Sequence, residues 1–343
     1  MHETNRQTII TNIQVLRAYC CIAVVIYHTN YFLIGNIHTD YQAVAILFTI
    51  SGFIMTHIIH ENPNHFWIRR IIRIVPLYWI FTLIAFFLPY YHYSSPFNLG
   101  VEETQTPSFL LKSLFFFPYY IRTDNPFPSL GVGWTLNLEM FFYALMAIAL
   151  KISRRWAALL ACLMLESVKI LNVATDYSVP LLRAYSDNYK YYPDCFPLGV
   201  MAYYLWCYFR QMDLRNARIG LIITSVFIGI SMIGINAYTE NTYLSLTYLF
   251  PFSVVCLALL LHTSGLQSRW KFAILLGDAS YALYLVHPFW IAMQQFLARQ
   301  WSFLDASIHF SALCLTITIS CILAIMVHCF IEKPILRALK NLL

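Results

Sequence analysis

The stretch IQVLRAYCCIAVVIYHTNY, Ile13 to Tyr31, decides how the rest of the chain is read. It is apolar and long enough to cross a bilayer, yet it holds Arg17 and, eleven positions later, His28. At about 100° per helical residue, eleven steps make three turns plus roughly 20°, so both side chains share one face about 16 Å apart. An ionisable residue in hydrocarbon costs at least about 2.5 kcal/mol, so such residues face a protein interior or a wet cavity. A fixed cation and a titratable imidazole on one stripe suit a site that joins an anionic donor to a proton transfer. The same pair would equally serve as structural contacts, with Arg17 snorkelling to the interface and His28 bonded to a neighbouring helix.

The remainder of the chain repeats this apolar character. Of 343 residues, 59% are hydrophobic and only 11% charged, against about a quarter charged in soluble domains. The expected fold class is therefore all-α, a polytopic membrane protein. Its first apolar run lasts about twenty residues, too long for the core of a signal peptide, so it is expected to be retained. Residues 1–343 are expected to form a single integral-membrane domain with no appended soluble domain. Successive apolar runs predict ten spans, at about 13–33, 41–60, 74–92, 130–150, 156–173, 194–209, 219–237, 246–262, 273–297 and 307–330. The run SFLLKSLFFFPYYI, 108–121, reads as an interfacial or re-entrant helix instead.

Basic residues set the expected orientation. With the N-terminus inside, fifteen Lys and Arg fall on the cytoplasmic side, among them Arg6, Arg69, Arg70, Arg73, Lys333, Arg337 and Lys340. Six fall outside and Arg17 stays in the membrane, so both termini are expected in the cytoplasm. The formal charge of +6 then follows from topology, and no nucleic-acid partner is implied because the cations lie at span ends. The cysteines show no C-x-x-C pair and read as buried small hydrophobes. His57, His60 and His65 at the end of the second span lack the further ligands that a metal site needs, and none is expected.

Several polar residues interrupt the other spans. Ser51 and Gly52 form a small-residue step suited to close approach of a helix or a ligand chain. FWIRRIIRIVPLYW places Arg69, Arg70 and Arg73 before the third span, with Arg70 and Arg73 three apart on one helix face. They read either as cytoplasmic anchors or as a fork for phosphates. Pro76 is expected in the first turn of that span, where its missing N–H costs little. In GVGWTLNLEMFFY, Trp134 suits the outer interface, and Glu139 lies deeper, where it needs a partner such as Arg17 or His28. In LLGDASYALYLVHPFW, Tyr284 and His287 lie near mid-membrane, and Pro288 predicts a local helix break lining a cavity. Glu332 in the closing FIEKP is placed to pair with a cytoplasmic arginine at the surface. The external connection 93–129, with Glu102, Glu103, Arg122 and Asp124 among aromatic rings, suits a carbohydrate-facing lid or an interfacial loop.

Taken together, IQVLRA with His28, LFTISGFIM, RRIIRIVPLYW, GWTLNLEMFFY, LGDASYALYLVHPF and FIEKP resemble membrane acyltransferase family 3, the integral-membrane enzymes that acylate bacterial surface polysaccharides. The resemblance covers nearly the whole chain and is nearest to the exopolysaccharide-production branch. It implies an O-acyltransferase of the bacterial cytoplasmic membrane, with Arg17 and His28 required, His28 as general base, and Arg70 and Arg73 in an acyl-CoA grip. The co-substrate is expected to be acyl-CoA, acetyl-CoA by analogy with that branch, with no permanently bound cofactor. The acceptor is a polysaccharide or lipid-linked glycan. Where the family commonly carries Gly and an acidic residue before the Phe-Phe of span two, this chain has Ala43, Ala45 and Leu47-Phe48, so no acidic role is assigned there.

The candidate catalytic residues are thus His28 and Glu139, the latter orienting the imidazole or balancing Arg17. The candidates for holding donor or substrate are Arg17, Arg69, Arg70, Arg73, Ser51, Trp134, Tyr284 and His287. Direct transfer and an acyl-enzyme route both fit. A polytopic secondary transporter would also carry intramembrane Arg, His and Glu, but it commonly shows an internal repeat, and none is evident here. A scaffold using these residues only as ties between helices is the third reading. Oligomeric state has no signature in the sequence.

Overall fold

The structure, a computed structural model, describes residues 10–30, 39–88, 106–118, 127–186, 192–211, 214–234 and 248–341. Its regular elements are all helical among the described residues. They are α1 (Thr11–His28), α2 (Thr39–Glu61), α3 (Phe66–Phe87), α4 (Pro107–Leu114), α5 (Trp134–Ile152), α6 (Ala157–Ala174) and α7 (Pro180–Ser186), then α8 (Tyr192–Phe209), α9 (Leu214–Gly234), α10 (Phe250–Thr263), α11 (Lys271–Asp278), α12 (Ser280–Ala298), α13 (Phe310–Val327) and α14 (Lys333–Lys340). A π-turn, His328–Glu332, joins α13 to α14.

Every expected span overlaps one of these helices, but fewer meet the length and apolarity of a crossing. Five do so: Gln42–Glu61, Phe66–Phe87, Gly131–Ile152, Ala157–Ala174 and Phe310–Lys340. The pair α11 and α12, bent by 76°, makes a sixth. The run expected to be interfacial is the short helix α4, which starts as its sequence dictates: Thr106 accepts the Phe109 N–H at 3.2 Å, and Pro107 follows the cap. Glu102, Glu103, Arg122 and Asp124 lie outside the described residues.

Two sequence expectations about proline need correcting. The third span begins at Phe66 rather than near 74, so Pro76 lies in the interior of α3 and the three arginines are part of the helix. The arginines look like a boundary in sequence, yet the helix runs through them because two of them face a cavity instead of lipid. Pro288 likewise does not break its helix, which continues from Ser280 to Ala298. The break comes earlier, between Asp278 and Ser280.

Helix α1 is the hub, packed against α2, α10, α11, α12 and α13. It ends at His28, where Asn30 turns left-handed at φ 52° and the Thr29 hydroxyl bonds the Ile26 carbonyl at 2.6 Å. Burial separates centre from rim: 78% of the α2 span is buried within the protein, against 28% of α6. Leu159, Leu163 and Ile170 of α6 are exposed accordingly, the face expected against lipid.

Glycines set the two closest approaches. A Cβ on Gly52 would stand 2.1 Å from the Phe196 carbonyl oxygen, and one on Gly199 would stand 2.0 Å from that of Thr49, so α2 and α8 cross backbone to backbone. A Cβ on Gly277 would meet the Gln14 carbonyl oxygen at 2.0 Å, which presses α11 onto α1. Backbone atoms cannot rotate aside, so a methyl group must push the helices apart. Gly52→Ala or Gly199→Ala is expected to destabilise the protein by about 1–3 kcal/mol or more, read as a lowered unfolding temperature in detergent. Gly265→Asn, at an open position with φ +79°, is expected to leave that temperature unchanged.

Candidate functional site

A cavity of about 570 Å³ opens among α1, α2, α3, α5, α12 and α14. Helical spacing explains which side chains reach it. Helix α1 presents Gln14, Arg17 and Cys21, α5 presents Thr135, Glu139 and Tyr143, and α3 presents Arg70 and Arg73. Ser51 of α2, Asp278 of α11, Ser280, Tyr281 and Tyr284 of α12, His328 of the π-turn, and Lys333, Arg337 and Lys340 of α14 complete the polar lining. The wall from α2 is otherwise apolar, with Val44, Leu47, Phe48 and Ile54. This is where the chain departs from the acidic pattern of the family it resembles.

Glu139 is held by hydroxyls. Its Oε1 accepts from the Tyr143 phenol at 2.5 Å and from the Ser51 hydroxyl at 3.3 Å. The sequence offers Arg17 or His28 as its partner, and Arg17 interacts with it electrostatically, without the direct contact that the hydroxyls make. Arg17 donates instead to the Gln14 side chain at 3.3 Å, while Glu139 and Asp278 act on it electrostatically. In the N-terminal part of α3, Arg73 lies 3.7 Å from Glu332. That pair is not the surface contact expected from sequence, since Glu332 is 2% exposed and also accepts from His328 Nδ1 at 2.6 Å.

Beyond the cavity the two intramembrane histidines meet. His287 Nε2 lies 3.1 Å from His28 Nδ1, and His287 Nδ1 lies 3.1 Å from the Leu283 carbonyl. A carbonyl can only accept, so His287 carries its proton on Nδ1 and, when neutral, accepts on Nε2. His28 faces that acceptor with Nδ1, and its ring also bonds the Val24 carbonyl four residues back on α1. His287 is fully buried. Neither histidine lines the cavity, whose last lining residue on α12 is Tyr284. The Tyr284 ring is 5.9 Å from that of His287. Its hydroxyl donates to the Val132 carbonyl at 3.1 Å and accepts from Thr135 at 2.8 Å.

Six of the residues singled out in the sequence, Arg17, Ser51, Arg70, Arg73, Glu139 and Tyr284, therefore share one cavity. His28 and His287 form a pair beyond it, His287 about one turn past Tyr284 on α12 and His28 about two turns past Cys21 on α1. Arg69 and Trp134 do not line it: Arg69 is one helical step from Arg70, and Trp134 packs its ring 5.2 Å from Tyr192. Sequence reasoning passed over Tyr143 and the basic face of α14 as site residues. Their signals were present, in the i, i+4 run from Thr135 through Glu139 to Tyr143, and in Lys333, Arg337 and Lys340 at i, i+4 and i+7. His57 meets Glu61 at 3.4 Å. No group of three or more His, Cys, Asp or Glu that could hold a metal occurs among the described residues.

Comparison with known proteins bears directly on this cavity. Residues 10–326 match the acyltransferase domain family Acyl_transf_3. The chain is 29% identical over 273 residues to exopolysaccharide production protein ExoZ of Rhizobium meliloti, covering 77% of this chain and 79% of that protein. It is 23% identical to the putative peptidoglycan O-acetyltransferase YrhL of Bacillus subtilis, covering 97% of this chain and 56% of that protein. It is 26% identical to peptidoglycan O-acetyltransferase OatA of Listeria monocytogenes, over 43% of this chain and 25% of that protein. No solved structure matches. The matched region contains the α1 stripe, the α3 arginines, Glu139 and the histidine pair, and it sets aside the transporter and scaffold readings: the chain belongs to this acyltransferase family and is an O-acyltransferase, a multi-pass membrane protein.

Proposed function

We propose that the protein transfers an acetyl group from cytoplasmic acetyl-CoA to a hydroxyl of an exported polysaccharide or its lipid-linked precursor. The observation that carries this reading is the cavity, which runs from a cluster of cations to the threshold of a paired imidazole. Arg70 and Arg73 suit the phosphates of the donor. The apolar wall of α2 suits its pantetheine arm, which would extend past Arg17 toward Tyr284. Relatives named for exopolysaccharide production and peptidoglycan O-acetylation support a glycan acceptor and an acetyl group.

In this mechanism the Tyr284 hydroxyl leaves Val132 and Thr135, joining the cavity to the histidine pair. His28 Nε2 removes the proton from the sugar hydroxyl as its oxygen attacks the thioester carbonyl. The C–O bond forms, the C–S bond breaks, and the departing thiolate takes a proton from the imidazolium. His287 is a positioning residue: it fixes the tautomer of His28 and accepts from its Nδ1–H as positive charge develops. Glu139, braced by Tyr143 and Ser51, balances the charge of Arg17 from across the cavity.

Topology follows from the same reading. Ten crossings with both termini in the cytoplasm put the α3 arginines and α14 on the side where coenzyme A is found, in the cytoplasmic membrane of a bacterium. The excess of basic residues on that side supports the assignment.

Two substitutions test the site. A strain deleted for the gene is complemented with native or His28→Ala protein at equal membrane levels, and ester content of the extracellular polysaccharide is measured by proton NMR. The native chain is expected to restore acetyl signals, and His28→Ala to reduce the rate of acetylation by about 10²–10⁴-fold; full restoration by His28→Ala would remove the base assignment. For His287, the Leu substitution is expected to cost about 10–100-fold in transfer rate. Gln, whose carbonyl can still accept from His28 Nδ1–H, is expected to recover part of it and to flatten the pH–rate profile less than Leu does.

A further inference from the structure

The C-terminal helix has no assigned part in the reaction, yet it forms one wall of the cavity. We propose that the basic face of α14, Lys333, Arg337 and Lys340, together with Arg70 and Arg73, is the subsite for the 3′-phosphorylated adenosine diphosphate end of the donor. This deepens the acyl-CoA reading above and rests on it.

Three observations carry the proposal. The first is charge. Six fixed cations line the cavity against two carboxylates, Glu139 and Asp278, and Lys340 lies near enough to Arg69, Arg70 and Arg73 to feel their repulsion. Gathering like charges around the mouth of one cavity is unfavourable unless an anion completes it. A phosphate monoester carries about −1.5 to −2, and the diphosphate of the nucleotide adds about two more. Such an end matches the excess, where an uncharged glycan would leave it uncompensated.

The second observation is the brace behind the cluster. Glu332 is buried, accepts from His328 Nδ1 at 2.6 Å and lies 3.7 Å from Arg73. It ties the π-turn to α3, which holds the face of α14 toward the arginines instead of leaving the helix to float on the surface. π-turns inside helices recur at functional sites, where the extra residue per turn re-aims the side chains that follow. A helix merely anchored to the membrane surface has no need of a buried carboxylate tying it to the cavity wall.

The third is an orphan. His328 lines the cavity and is 4% exposed, and its Nε2 is buried without a hydrogen-bond partner. Arg70 Nε is in the same condition. The Arg70 N–H is a fixed donor that a phosphate oxygen would satisfy, whereas His328, whose Nδ1 already donates to Glu332, offers a second donor at Nε2 only as the imidazolium.

Geometry also places α14 correctly. The continuous helical stretch from Phe310 to Lys340 is 31 residues long, about 46 Å at 1.5 Å per residue, while the hydrocarbon core is about 30 Å. Its last turns must therefore emerge, which brings Arg337 and Lys340 to the water-facing mouth. Phosphate esters there come from two sources, nucleotide or lipid headgroup, since a basic amphipathic helix at an interface also attracts anionic lipid.

The test uses the full chain in nanodiscs of phosphatidylcholine and measures binding of coenzyme A and of acetyl-pantetheine, which lacks the nucleotide, by calorimetry. Native protein is expected to bind both, with coenzyme A tighter and strongly salt-dependent. The double variant Arg337→Gln, Lys340→Gln, altered at two exposed side chains, is expected to weaken coenzyme A by about tenfold or more and to leave acetyl-pantetheine binding unchanged. If coenzyme A binding is unaltered and only association with phosphatidylglycerol vesicles falls, α14 serves lipid headgroups and the proposal is overturned. Native protein that binds neither ligand would instead remove the donor reading itself, and the subsite with it.

Discussion

Charge has nowhere to go in hydrocarbon, and the architecture follows from that constraint. Arg17, Glu139, Arg70 and Arg73 sit on helices whose other faces are apolar, so each can be tolerated only by facing a shared interior. Three helices each contribute one or two such residues, and the cavity is the volume left where those faces converge. Were any one helix rotated by a single residue, about 100°, a charged group would turn toward lipid or into packed side chains. The rotational setting of each helix is thus determined more by its polar residue than by the fit of its apolar ones.

Close packing supplies the second constraint. Helices that meet through large side chains stand 8–10 Å apart and can shift by small amounts, whereas α2 and α8 meet through Gly52 and Gly199 with backbone against backbone. Ser51, adjacent to Gly52, is consequently held at a defined depth and can reach Glu139 on α5. Gly277 does the same for α1 and α11: its contact with Gln14 fixes the α1 register one turn before Arg17, and the bend at Ala279 then redirects α12 so that Tyr281 and Tyr284 face the cavity. Glycine here converts sequence position into the coordinates of the polar groups.

The parts of this arrangement legible in the sequence are those that a single helix determines. Arg17 and His28 stand out because ionisable residues in an apolar run are expensive, and Arg70 and Arg73 because three-residue spacing shares a face. What was not legible depends on which helices are neighbours. Glu139 required a partner, but that it would be Tyr143 and Ser51 follows only once α2 lies beside α5. The arginines of α3 read as a boundary because basic residues usually mark one, and the helix start at Phe66 depends on a cavity the sequence does not display. The basic face of α14 was visible as periodicity, yet the same charges satisfied the rule for orientation, and one explanation concealed the other. Pro288 signals a break by its missing N–H, but the chain bends between Asp278 and Ser280, where α11 is pinned to α1.

The separation of the histidine pair from the cavity has a chemical logic under the proposed reaction. A thioester held in a wet, cation-lined cavity is at risk of hydrolysis if a competent base stands beside it. Here Tyr284 and Thr135 lie at the cavity end with their hydroxyls bonded to each other, and Tyr284 also to Val132, while His287 lies one turn beyond, beside His28. The base is therefore complete, with the tautomer of its partner His287 already set by the Leu283 carbonyl, before either substrate reaches it. Preorganising the base costs nothing at the moment of reaction. Under the proposed reaction, discrimination between sugar and water would then rest on the opening of that one hydrogen-bonded contact between Tyr284, Thr135 and Val132.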